Sequence, residues 1–131
     1  MSRLDLADGL RLIHQATTGE RFGHQAHLTF AWSLLEEAGD LEEAERVANL
    51  TIRHVAEVAG SPGKYHCTVT LFWMRILDHV RRSYPDVTTI TEALEVFPDL
   101  GDPHLPDRHW SDLDSEEARL HWVEPDLLPM P

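Results

Sequence analysis

Three histidines are the residues of this chain best suited to chemistry. His24 and His27 stand three apart in Phe22-Gly23-His24-Gln25-Ala26-His27, and His66 follows in Lys64-Tyr65-His66-Cys67-Thr68. Imidazole titrates near neutrality and is the commonest protein metal ligand. Two residues three apart on a helix share a face, so His24 and His27 can converge. If the helix that begins near His66 packs against theirs at the same end, three neutral rings meet at one point. Three imidazoles with an open fourth position are the ligand set of catalytic zinc, and they also suit iron, nickel or copper. Magnesium and calcium call for oxygen ligands instead. The spacing therefore predicts a divalent transition metal on His24, His27 and His66. The metal would serve a small-molecule substrate by polarising a carbonyl or activating water or dioxygen.

Several neighbours have types that could complete such a site. Glu20, four residues before His24, is a candidate ligand or general base, or else an acid favoured by the positive end of a helix. Tyr65 and Thr70 could donate hydrogen bonds beside the metal or to substrate. Trp73 shares the face of His66 and could wall a pocket, although most helix-borne tryptophans fill cores. His109 and Ser111 lie in Asp107-Arg108-His109-Trp110-Ser111, which reads either as a lid over the helix ends or as a surface turn anchored by Trp110. Cys67 is about 100° round the helix from His66. It is expected to be a buried small apolar residue rather than a thiolate nucleophile. Neither HExxH nor a ferritin-like ExxH pair is present.

The elements that must position these residues read as helices. Leu4 to about Thr17 forms the first, with Leu4, Ala7, Leu10 and His14 near one side. A second runs from about Gly23 to Glu37. It carries His24, His27, Leu28, Ala31, Leu35 and Ala38 on one stripe, and Gln25, Thr29, Ser33 and Glu36 opposite. Asp40 and Glu43 have capping-box spacing ahead of a third helix, Leu41 to Ala59. Ser61 and Pro62 then open a fourth, Lys64 to Ser83, which is apolar on almost every side and so predicted to be central. Thr89 and Glu92 repeat the capping spacing before a fifth helix ending ahead of Pro98. Pro98 to Asp107 reads as an irregular proline-rich crossing, Ser115 to Val123 as a last short helix, and residues 124–131 as an extended tail. No segment alternates like a strand. The expectation is an all-α, antiparallel bundle of five to six helices, one domain spanning 1–131.

Composition narrows the function classes. At 131 residues, one domain can bury a core without disulfides. The single cysteine, Cys67, excludes an internal disulfide and zinc ribbons. A formal charge of −12, from 23 acidic against 11 basic residues, would repel a phosphate backbone, so nucleic acid is not an expected partner. Two acids in the first eight residues and no apolar run of membrane-spanning length point to a cytoplasmic protein with no membrane partner.

The ordered motifs resemble a group of small uncharacterised bacterial proteins. Their pattern F-x-H-x-x-H-x-x-x-A-W-x-x-L matches Phe22 to Leu35, and G-x-x-x-K-Y-H-x-T-x-T matches Gly60 to Thr70. A tryptophan-serine turn follows at Trp110-Ser111, then S-x-x-A-R at Ser115 to Arg119 and P-D-x-x-P at Pro125 to Pro129. The resemblance covers most of the chain and implies a helical fold, with weight on His24, His27 and His66. In the group the residue after the third histidine is usually Glu, where this chain has Cys67. If that acid is a ligand or base there, the resemblance implies altered chemistry here.

Two functional readings stand at this point. One is a metal-binding protein built on the three histidines, with a metal-dependent enzyme on a small-molecule substrate as its catalytic form. The other is a non-catalytic helical interaction module with structurally buried histidines. Its cue is Leu34 to Arg46, which has the flavour of a tetratricopeptide turn without a 34-residue repeat.

Overall fold

The computed structural model describes residues 3–17 and 23–131. It contains six α-helices: α1 (Leu6–Ala16), α2 (His24–Ala38), α3 (Leu41–Val58), α4 (Cys67–Ser83), α5 (Ile90–Val96) and α6 (Glu116–Leu120). Three 3-10 turns, Pro62–Lys64, Pro98–Gly101 and Leu105–Arg108, fill the connections. Among the described residues there is no strand, and the fold is the all-α bundle expected from the sequence. Among the described residues no helix is long and apolar enough to cross a membrane.

Side-chain caps set most helix starts, each satisfying an amide that the first turn leaves unpaired. Asp40 accepts from the Glu43 amide at 2.9 Å, Thr89 from Glu92 at 3.1 Å and Ser115 from Ala118 at 3.1 Å. Asp5 and Asp8 form a reciprocal box at the start of α1. At the other end of α2, Gly39 turns left-handed (φ 77°) and donates to the Leu35 carbonyl. That conformation favours glycine.

The centre is shared by two helices. α4 buries eleven residues, from Cys67 to Val80, and packs against α2, α3 and α6. α2 is surrounded by α1, α3, α4 and α5. It therefore buries Ala26, Phe30, Trp32 and Leu34 in addition to part of the expected stripe. The first helix presents a different face from the one expected. Gly9, Leu12 and Ile13 are buried, whereas Ala7 and His14 are exposed. The reason lies at Gly9, where a Cβ would come within 1.8 Å of the Thr51 hydroxyl oxygen. Lacking a side chain, Gly9 lets α1 lie against α3 at close range.

The fourth helix also starts later than expected. Lys64 belongs to the 3-10 turn that Pro62 opens, and α4 begins at Cys67 with His66 as its cap. Beyond α5, the chain wraps back over the bundle and is tied to it. Trp110 donates its indole N–H to Val123 O at 2.9 Å, and the Leu127 amide donates to His109 O at 2.9 Å. Thr68, fully buried on α4, has Ala118 O and His121 O each at 2.7 Å from its hydroxyl. Arg75 lies 4.0 Å from the Trp122 ring centroid and pairs with Glu45 at 2.8 Å, which joins α4, the tail and α3.

Candidate functional site

The first turn of α2 places His24 and His27 next to each other, as the three-residue spacing predicts. His24 donates from Nε2 to the Leu100 carbonyl at 2.8 Å, and its ring meets Trp73 edge-on at 4.7 Å. Leu100 lies in the proline-rich crossing, so this bond pins that crossing to the start of α2.

His27 lies in the wall of a cavity of about 480 Å³ that opens between α2, the C-terminal half of α3 and the turn before α4. Ile52, Val55, Ala56 and Ala59 give the cavity an apolar side, and Ser61 and Lys64 stand on the turn that closes it. Burial lowers the His27 pKa to about 4, with a further contribution from the charge His24 carries when protonated. Removing an imidazolium from water is costly, so burial favours the neutral ring. At neutral pH His27 is therefore an uncharged polar group in an apolar wall. Beside the cavity, Ala56, Tyr65, Cys67 and Leu71 form a small buried cluster against Ile52.

His66 is placed otherwise. Its Nδ1 accepts from the Val69 amide at 3.2 Å, and its Nε2 donates to Leu113 O at 2.6 Å. Both ring nitrogens are thus engaged, one in capping α4 and one in holding the C-terminal wrap. The structure brings His24 and His27 together and gives His66 this separate task. Among the described residues, no group of three or more His, Cys, Asp or Glu side chains is arranged to hold a metal ion.

The remaining expected residues are also accounted for. Glu20 lies outside the described residues. Tyr65 is buried and donates to Asn49 Oδ1 at 2.9 Å, and burial together with its contact to Cys67 raises its phenol pKa. Thr70 donates back to His66 O at 2.8 Å within the first turn of α4. Trp73 is core, between His24 and Phe72. His109 packs on Phe72 at 5.2 Å and donates to Leu128 O at 2.9 Å. Ser111 hydrogen-bonds Asp126 through both its amide and its hydroxyl, which holds the Asp126 carboxyl below its usual range. The Asp107 to Ser111 turn is thus an anchor for the tail. Cys67 is buried, as expected.

Sequence reasoning missed the cavity wall. Ile52, Val55 and Ala59 recur on one apolar face of α3, the pattern of a core stripe, yet Val55 is only partly buried and Ala59 is exposed. The available signal was that this face stays apolar to the very end of α3. No protein family, curated protein or solved structure matches the chain.

Proposed function

We propose that this chain binds a small organic molecule with a mainly apolar body in the cavity over His27. The observation that carries the reading is the uncharged His27 ring set in the wall of a cavity that is apolar on its α3 side. A cavity of this size with few polar groups and a strongly perturbed titratable residue is the usual form of a ligand site. The body of the ligand would rest on Ile52, Val55 and Ala56. Its polar end would face His27 and Ser61, and Lys64 at the rim favours a neutral or anionic end over a cationic one. A bacterial cytoplasmic location belongs to the same reading, supported by the motif resemblance and by the single unpaired cysteine. The test blocks the cavity at its exposed edge. Hexanol and hexanoate should raise the melting temperature of the native chain saturably, and Ala59→Trp should abolish the rise. No saturable rise with either probe, or an undiminished rise in Ala59→Trp, would reject the reading.

A second reading, a transition metal on the His24–His27 pair, is favoured by their adjacency and by the neutrality of His27, since a metal-bound imidazole must be unprotonated. Such a site would take its other ligands from residues other than His66 in its present role. Metal content of protein purified without a histidine tag separates the two readings. Stoichiometric zinc, iron, nickel or copper that is lost in His27→Ala supports the metal site.

A further inference from the structure

A second cavity, of about 420 Å³, lies between the C-terminal halves of α2 and α4 and the link that follows α4. Trp32 forms part of its wall. The residue is only 3% exposed, and its indole Nε1 is sealed from solvent with no hydrogen-bond partner among the described residues. A buried donor without an acceptor is unfavourable, and native structures rarely leave one. Beside it stands an arginine with a charge to spare. Arg82 is tied to Asp78 at 2.8 Å, as Arg75 is to Glu45, but Arg81 makes no ion pair among the described residues. Its guanidinium instead lies 5.7 Å from the Trp32 ring centroid. In a chain of net charge −12, an arginine without a carboxylate thus stands beside an indole donor without an acceptor.

We infer that this cavity binds a small carboxylate, its oxygens accepting from Arg81 and from the Trp32 indole. The guanidinium fork matches a carboxylate in shape and charge. Because Nε1 is sealed in the free protein, binding requires the side chains around it to open toward the ligand. The other lining residues restrict the ligand further. Pro85 and Val87 offer an apolar surface for its body, and the Thr88 hydroxyl is already donating to Glu92 at 2.9 Å. Glu36 at the same cavity, with Asp40 and Asp78 on the far side of the two arginines, disfavours a dianion. A monoanion with an apolar body is therefore preferred over inorganic phosphate.

The test is an NMR titration of the ¹⁵N-labelled full chain with sodium benzoate, with sodium phosphate and sodium chloride at matched ionic strength as comparisons. The Trp32 indole N–H signal, identified by its absence in Trp32→Phe, should move saturably with benzoate and stay still with chloride. Affinity for benzoate should fall at least tenfold in Arg81→Gln. If Trp32→Phe does not fold, Arg81→Gln at its partly exposed position decides alone, by loss or retention of the saturable indole shift. No saturable indole shift, an equal shift in Arg81→Gln, or phosphate binding as tight as benzoate would overturn the inference.

Discussion

The Nε2 of His66 lies 2.6 Å from the carbonyl oxygen of Leu113, 47 positions along the chain, while Nδ1 of the same ring caps α4 at the Val69 amide. One side chain thus starts the central helix and holds the C-terminal wrap against it. His66→Ala should cost about 1–3 kcal/mol, a lost cap together with the net loss of one hydrogen bond. His66→Asn can still cap but is too short to reach Leu113, so it should recover about 1 kcal/mol of that loss. Urea unfolding of the three proteins checks this. A His66→Ala stability within 0.5 kcal/mol of the parent, on the order of an ordinary surface change, would contradict the dual role.

His27 makes stability depend on pH. Its folded pKa, about 4, lies below the ordinary histidine value of 6.5, so the unfolded chain takes up a proton over a range where the folded chain does not. The contribution is fully present above pH 6.5 and is lost as pH falls toward 4. From pH 7 to pH 5 the loss is about 2 kcal/mol, at 1.36 kcal/mol per pKa unit over the part of the window crossed. Unfolding free energies at both pH values, for the parent and His27→Phe, isolate the term. The variant should show the smaller decline, and an identical decline in both would be inconsistent with a neutral buried ring.

Gly9→Ala tests the contact between α1 and α3. Helix propensity alone would favour alanine by about 1 kcal/mol. The new Cβ would meet Thr51, at 1.8 Å from Oγ1 and 3.0 Å from Cβ, and that hydroxyl is already bonded to Val47 O. Overpacking of this kind costs about 1–3 kcal/mol, so the clash should win. Thr51→Ala in the same protein should restore part of the loss, since it removes the nearest atom. A stabilised Gly9→Ala would show that the helices stand further apart than described.

Breaking the tail anchor should loosen the C-terminal wrap without unfolding the bundle. Asp126→Asn keeps an acceptor for Ser111 but removes its charge. Amide exchange should rise around Ser111 and Leu127, with α2 and α4 unchanged. Uniform exchange across all helices would contradict this separation.

The helical fold was legible because local signals agreed with one another. The spacings Asp40–Glu43 and Thr89–Glu92 became real caps, and Gly39 became the left-handed end of α2. Face assignments were less legible where tertiary contact decided them. A missing Cβ at Gly9 draws its side of α1 into the core, and no periodicity in apolar residues can register a glycine. At the candidate site, the pairing of His24 with His27 followed from helix geometry. The role of His66 did not, because its partner Leu113 is distant in sequence and bonds through its backbone, which leaves no trace in residue type. The cavity was invisible for a related reason. An apolar stripe looks the same whether a neighbouring helix covers it or a ligand does.

The most direct measurement is of the His27 ring itself in the presence of a ligand. In a ¹H–¹³C spectrum of the native chain at pH 7, the His27 ring signals should have the shifts of a neutral imidazole. They should move saturably on addition of hexanol, and the exposed His14 and His104 signals should stay in place. Ala59→Trp should suppress the movement. A His27 ring that titrates near pH 6.5, that does not move with hexanol, or that moves no more than the other histidines do would contradict the account.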